Sequence, residues 1–178
     1  MKRTTIMKAF YANLLGIVLV LVLAPLVAAK PSSWDKQIKG AGRFTVLKQF
    51  NSEAVLDKET GLVWERSPDP NLTGVSWPLA LATCNGKVVG GRLGWRVPTA
   101  PELASLIDPN NSTGNLELPS GHPFAGVHGT EYWSANTRLL DTTTALTLNF
   151  GTGTLTVGPK NSNRPYWCVR GGQGVDPT

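Results

Sequence analysis

The sequence predicts an α+β domain in which two short helices pack against a small antiparallel sheet and long loops join the elements. Apolar residues recur at helical spacing in only two short stretches, whereas other segments alternate between apolar and polar residues as strands do. Glycine and proline are frequent, at 19 and 13 residues, and both favour turns and loops. Together these observations favour a loop-rich α+β domain.

A strand that turns into a helix is the most strongly specified element. Residues 95–97 alternate in polarity, and Pro98 ends the strand because it has no N–H to donate. Thr99 and Glu102 have the spacing of a capping box, in which each side chain accepts a hydrogen bond from the backbone of the other. The helix that follows has one apolar face for the core, formed by Leu103, Leu106 and Ile107.

The other helix is predicted from Ser76, as its N-cap residue, to Cys84. Its inward face is formed by Trp77, Leu81 and Cys84. The second cysteine, Cys168, lies in an apolar segment near the end of the chain. An exported chain with two cysteines in core elements is expected to form one disulfide, here between Cys84 and Cys168.

Two hairpins are predicted from turn chemistry. Segment 57–61 joins two short strands, and Gly61 supplies the positive φ that its turn requires. Asp57 and Glu59 are interpreted as solvated residues of this turn and not as a catalytic pair. Segment 131–137 alternates as a further strand, and the second hairpin pairs segments 144–150 and 154–157.

The N-terminal segment 1–29 is predicted to be a signal peptide. A basic start is followed by an apolar run from Leu14 to Leu23 and by small residues before Ala29, after which we expect cleavage. The alternative is an uncleaved anchor, because segment 10–29 is about long enough to span a bilayer. We then expect a linker over 30–42, one domain over 43–173 and a mobile tail over 174–178.

Removal of the signal peptide changes the charge of the chain. The whole sequence has a net charge of +5, but without residues 1–29 it has 14 basic and 12 acidic side chains, a net charge of +2. This small excess does not support a nucleic-acid partner. The remaining 149 residues are enough for one domain with its own core.

Several separated motifs resemble one bacterial domain family, which is named after the C-terminal domain of Legionella collagen-like protein. The core motif is Trp-Arg-Val-Pro-Thr-x-x-Glu-Leu at 95–103, with Gly-Gly-Arg upstream. Further matches occur in the same order at 56–64, 121–124, 132–135 and 167–172. The resemblance covers about 43–173 and implies a C-type-lectin-like fold, related to that of formylglycine-generating enzymes. It also implies an adhesin-like extracytoplasmic domain.

The loop over 108–130 is a candidate ligand site, because long loops on a rigid scaffold often carry binding residues. Its candidate residues are Asn110, Asn111, His122 and His128. A second candidate set, Arg138, Lys160 and Arg164, flanks the last hairpin and is expected to bind sulfate or carboxylate groups if the three meet on one face. The alternative for this set is a solvated rim of unrelated charges.

Catalytic and metal-dependent functions have weaker support. The histidines are too widely spaced for a zinc site, and Ser120 lacks the context of a hydrolase nucleophile. The family's fold raises calcium-dependent sugar binding, but the usual Glu-Pro-Asn and Trp-Asn-Asp motifs are missing. We therefore predict no enzyme activity, no cofactor and no resident metal.

The predicted function is that of a periplasmic or secreted module that recognises carbohydrate or a sulfated polyanion. The adhesin that names the family binds sulfated polysaccharides, which the resemblance allows here. The expected partner is a polysaccharide or other extracellular ligand, with no nucleic acid, and with membrane contact only through the signal segment. The alternative is a structural or assembly component of an envelope or surface complex.

Overall fold

The computed structural model describes residue 38 and residues 42–68, 73–110 and 116–171. The predicted signal peptide, most of the linker, the tail and Asn111 lie outside these residues. The described part contains two α-helices and eight strands, in the order β1 (Phe44–Val46), β2 (Ala54–Asp57), β3 (Val63–Glu65), α1 (Trp77–Gly86), β4 (Trp95–Arg96), α2 (Ala100–Ala104), β5 (Glu131–Arg138), β6 (Asp141–Asn149), β7 (Thr154–Pro159) and β8 (Val169–Arg170). A short 3-10 helix, Lys48–Phe50, lies between β1 and β2. The predicted α+β class is confirmed.

In the part of the chain that the structure describes, no helix is both long and apolar enough to cross a membrane.

The strands form two antiparallel sheets. The first has the strand order β1-β2-β3-β8-β4, so the last strand of the chain lies between β3 and β4. Val169 of β8 pairs with Trp64 on one side and with Arg96 on the other. The second sheet has the order β5-β6-β7, and its β6–β7 hairpin turns at 150–153, as the alternating pattern predicts.

Two clusters of buried side chains hold the sheets and helices together. One cluster contains most of the large aromatic residues, and its Trp167 ring lies edge-on to Trp64 and Phe150 with centroids 5.3 and 5.5 Å apart. Such edge-to-face contacts are favoured because the positive ring edge meets the negative ring face. The other cluster surrounds the two cysteines and includes Trp95 and Trp133.

The predicted disulfide is present and joins the end of α1 to the residue before β8. Cys84 and Cys168 have Cα atoms 5.5 Å apart, and both are fully buried. Ser76 occupies the N-cap position of α1 as predicted, but its side chain makes no capping hydrogen bond. The first helical amide, that of Trp77, instead donates to the carbonyl oxygen of Lys160 at 3.0 Å.

The predicted capping box of α2 is confirmed. The Thr99 hydroxyl accepts from the Glu102 amide at 3.4 Å, and a Glu102 carboxylate oxygen accepts from the Thr99 amide at 2.8 Å. Arg96 adds two hydrogen bonds to the same carboxylate, at 2.7 and 2.6 Å. Burial raises the pKa of Glu102, but the hydrogen bonds from Arg96 and Thr99 outweigh it and the net pKa is lowered.

Candidate functional site

An open cleft of about 760 Å³ lies between the start of β1, the turn after β2 and the end of α2. We call it the Arg43 cleft. Ala104 and Ser105 end α2 and form one wall, and the chain then continues through Asp108 and Asn110 along the same opening. The lining residues are Ile38, Arg43, Glu59, Ala104, Ser105, Ile107, Asp108, Pro109, Asn110 and Pro119.

Arg43 is held rigidly at the base of this cleft. Its Nε and Nη2 donate to the two carboxylate oxygens of Asp57, at 2.9 and 2.7 Å, and Nη2 also donates to the carbonyl oxygen of Ser105 at 2.7 Å. Glu59 adds a second carboxylate 3.1 Å from Nε. A guanidinium fixed by several partners keeps one orientation, which is what a preorganised binding site needs.

Asp57 does not have the solvated position that its turn sequence indicates. Its side chain is fully buried, and besides Arg43 it accepts hydrogen bonds from the Glu59 amide at 3.0 Å and the Thr60 hydroxyl at 2.9 Å. A buried carboxylate is stable only when its lone pairs are satisfied, and the turn together with Arg43 satisfies them. Asp57 is therefore a structural anchor of the cleft, whereas Glu59 lies in its lining.

The part of the 108–130 loop nearest α2 contributes polar groups to the cleft. The Asp108 side chain accepts from the Asn110 amide at 3.1 Å, which closes a local turn. The Asp108 amide in turn donates to the Glu117 carbonyl oxygen at 2.7 Å and ties this turn to the returning chain. Asn110 is thus the one member of the predicted loop set that the described structure places in the lining.

The two histidines have other surroundings. The His122 ring stacks on Phe124 with centroids 5.8 Å apart, and its buried Nδ1 has no hydrogen-bond partner. Burial lowers the pKa of His122, so the ring is neutral at pH 7. The backbone amide of His128 donates to the Tyr132 hydroxyl at 3.0 Å. Neither histidine is among the residues that line the Arg43 cleft.

Lys160 and Arg138 both lie near the far end of β5. Arg138 is the last residue of that strand, and the Lys160 ammonium donates to the hydroxyl of Thr137, the residue before it, at 2.8 Å. The same ammonium lies 4.0 Å from the centre of the Trp77 ring, a cation–π contact. We call these two residues near the end of β5, Arg138 and Lys160, the basic patch.

Arg164 contacts β5 nearer its start and is paired with a carboxylate. Its Nε donates to Glu131 at 2.8 Å, and its guanidinium lies 4.8 Å from the centre of the Trp133 ring. The hydrogen bond from Arg164 is the main reason that the pKa of Glu131 is lowered. Pairing with Glu131 reduces the attraction of Arg164 for an external anion, so it contributes less to the basic patch than its sequence position indicates.

A second cavity, of about 440 Å³, lies beside the disulfide, and its two carboxylates are bonded to other groups of the protein. Glu65 is nearly fully buried there, with Lys87 at 2.5 Å and the Cys168 amide at 2.9 Å from its carboxylate. Glu53 on the same cavity accepts from the Gly90 amide at 2.7 Å. These groups stabilise the fold, as the Arg43–Asp57 pair also does. The Arg43 cleft is the stronger candidate site because it is larger and is lined by Asn110 of the predicted loop set.

Among the described residues, no three or more histidine, cysteine, aspartate or glutamate side chains come together as they would to hold a metal ion.

A family model of the Lcl C-terminal domain matches residues 53–170, about two thirds of the chain. The chain belongs to this family. No curated protein matches the sequence. The matched segment of this Lcl C-terminal domain contains both cysteines, Glu59, Asp108 and Asn110, whereas Arg43 lies upstream of it. Residues that precede the family match therefore complete the cleft.

Sequence reasoning missed Arg43 as a site residue. The only local signal is an arginine directly before a strand, which is common on protein surfaces. Its partners Asp57 and Ser105 lie 14 and 62 residues away, so their convergence depends on the pairing of β1 with β2 and on the position of α2.

Proposed function

We propose that this Lcl C-terminal domain is a non-catalytic carbohydrate-binding module and that the Arg43 cleft is its sugar site. The observation that carries the proposal is the lining of the cleft, in which Arg43, Glu59, Asp108 and Asn110 surround an opening of about 760 Å³. Pockets for small ligands commonly measure about 300–1,000 Å³. Polar side chains of both donor and acceptor type suit the hydroxyl groups of a sugar, which also donate and accept.

The charges of the cleft favour a neutral or amino sugar over a sulfated one. Among the residues that the structure describes, Arg43 is the single cation of the lining, and Glu59 and Asp108 are two carboxylates on the same opening. Because Arg43 is already bonded to Asp57 and Glu59, a sulfate group entering here would meet a net negative charge from the described lining residues. Of the two ligand classes that the sequence favours, the geometry supports carbohydrate.

The disulfide supports a binding role instead of a catalytic one. Cys84 and Cys168 are bonded to each other, so neither sulfur is a free thiol that could act as a nucleophile. The partly buried His122 ring is stacked on Phe124, a setting typical of a packing residue. Export of the chain and its location in the periplasm or outside the cell remain parts of the proposal.

A glycan array on the protein, read with and without calcium, tests this function. We expect selective binding of neutral or amino sugars. A signal that requires calcium would indicate that a calcium ion binds at the site together with the sugar. Asn110→Ala should weaken binding about two- to tenfold, the usual effect of losing one neutral hydrogen bond. The same change at Asn161, which is exposed and lies outside the cleft, is the matched control.

Two results would contradict the proposal. Binding to sulfated glycans alone, unchanged in Asn110→Ala, would place the site elsewhere on the domain. Failure to bind any glycan on the array, by a folded protein with its disulfide intact, would favour the structural or assembly role.

A further inference from the structure

The two-residue turn between β5 and β6 consists of two leucines that are almost completely exposed. Leu139 is 91% and Leu140 is 89% exposed, the highest values among the large apolar residues that the structure describes. Turn positions usually carry glycine, asparagine, aspartate, serine or proline, which suit the backbone. Neither leucine has a positive φ, so the turn does not demand any special residue here. The fold therefore gives no reason for two leucines at this position.

The leucine tip lies next to the basic patch. Arg138 directly precedes Leu139 and is itself exposed, and Lys160 reaches the same end of β5 through its bond to Thr137. The nearest carboxylate in sequence, Asp141, accepts hydrogen bonds from the amide and hydroxyl of Thr143 at 3.0 and 2.6 Å. Asp141 also pairs with Arg138 across the turn and attracts its charge. The tip thus combines projecting apolar side chains with two cations and one carboxylate, a net charge of +1.

The size of the apolar surface argues against a protein partner. The free energy of burying a leucine side chain, divided by the usual free energy per unit area, corresponds to at most about 120 Å² of apolar surface. The two leucines together therefore offer at most about 240 Å². A stable protein interface needs about 800 Å² from each partner. A bilayer needs no matching surface, because apolar side chains enter its interface individually while cations remain among the headgroups.

We propose that the Leu139–Leu140 tip docks on an anionic lipid surface. The leucines enter the boundary between headgroups and acyl chains, and Arg138 and Lys160 contact the negatively charged headgroups. This docking goes beyond sugar binding and uses none of the residues that line the Arg43 cleft. It also departs from the expectation that only the signal segment contacts membrane.

A fluorescent label beside the tip tests the proposal. Thr142 is exposed and follows the tip closely, so Thr142→Cys carries an environment-sensitive dye without altering either leucine. The full chain is mixed with vesicles of phosphatidylcholine containing 30% phosphatidylglycerol, in roughly physiological salt. We expect a blue shift of the dye with these vesicles and a much smaller one with pure phosphatidylcholine. A dye at exposed Thr152, at the opposite end of β6, should not shift.

Substitutions at the tip should change the affinity measured by this shift. Leu139→Ser and Leu140→Ser are each expected to weaken vesicle binding about tenfold, since each removes one inserted apolar side chain. Arg138→Gln should weaken it about fivefold, the effect of one cation near an anionic surface. The matched controls are Leu93→Ser and Lys48→Gln, which change exposed residues outside the tip and should have no effect. None of these variants should lower the melting temperature, because all the altered side chains are exposed.

The dye responds only to the surroundings of the tip. Contact between the N-terminal segment and the bilayer therefore does not by itself produce the blue shift. The absence of a shift at Thr142 with anionic vesicles would overturn the proposal. An equal shift with soluble heparin, unchanged in Leu139→Ser and Leu140→Ser, would identify a polyanion surface instead. A concentration-dependent dimer that the leucine substitutions abolish would assign the tip to a second copy of the chain.

Discussion

Loss of the Cys84–Cys168 disulfide should remove a large part of the stability of this domain. The two cysteines are 84 residues apart, so the bond closes a long loop in the unfolded chain. In the chain-entropy model a loop of this length contributes about 4.6 kcal/mol to the free energy of unfolding at 25 °C. Domains of this size unfold with about 5–15 kcal/mol in total. Cys84→Ala with Cys168→Ala is therefore expected to leave the domain marginally stable.

Urea denaturation at 25 °C measures this loss. The double alanine variant also removes two fully buried sulfur atoms, which adds a packing cost to the entropic one. The matched control is wild-type protein that has been reduced while unfolded and refolded in reductant, because it keeps both sulfurs and lacks only the bond. The difference in the free energy of unfolding between the double alanine variant and the reduced wild-type protein gives the packing cost alone.

The slope of free energy against urea gives an independent check. An unfolded chain without the crosslink exposes more surface, so the slope should increase in both the variant and the reduced protein. The starting material is verified by mass spectrometry after alkylation under native conditions, which should show an unmodified chain two hydrogen atoms lighter than the dithiol. A loss of less than about 1 kcal/mol in both proteins, with the slope unchanged, would refute the entropic reasoning.

Three further changes test other parts of the fold. Asp57→Ala leaves the buried guanidinium of Arg43 without its main partner and should cost about 3–5 kcal/mol in urea denaturation, whereas a loss below about 1 kcal/mol would show that the pair is dispensable. Gly90→Ala should destabilise more than Gly91→Ala, because both have positive φ but only the Cβ at Gly90 meets backbone, at 2.4 Å; equal melting temperatures would contradict this. Because the pKa of Glu131 is lowered in the folded protein, its carboxylate stabilises the folded state at pH values above 4.5, the ordinary pKa of glutamate. This contribution is lost as the pH falls through the lowered pKa. Glu131→Gln should therefore flatten the decline in melting temperature as the pH falls below about 5.

The elements that could be predicted are those whose signals lie within a few residues of one another. The capping box needs only Thr99 and Glu102, and the turn at Gly61 needs only a short polar segment, so both are present as predicted. The β6–β7 hairpin follows from alternation on either side of a glycine-rich turn. The disulfide was predictable for a different reason, since a chain with two cysteines allows only one intramolecular pairing.

The position of Asp57 could not be read from its neighbours. Aspartate followed by polar residues and glycine is typical of an exposed turn, and the turn itself forms. Asp57 is removed from solvent because Arg43, just before the paired strand β1, bonds to its carboxylate. The residues around Asp57 in the sequence carry no sign of this partner. The candidate cleft depends on this long-range pair, so its residues were only partly identified, through Asn110.

The last described residues explain why the two clusters form one domain. The indole N–H of Trp167 donates to the Glu65 carbonyl oxygen at 2.9 Å, and its ring lies in the aromatic cluster. The next residue, Cys168, belongs to the other cluster and is bonded to α1. Val169 then pairs with both β3 and β4. Since successive residues of a strand point to opposite sides, one short extended segment near the end of the chain reaches both clusters and closes the first sheet.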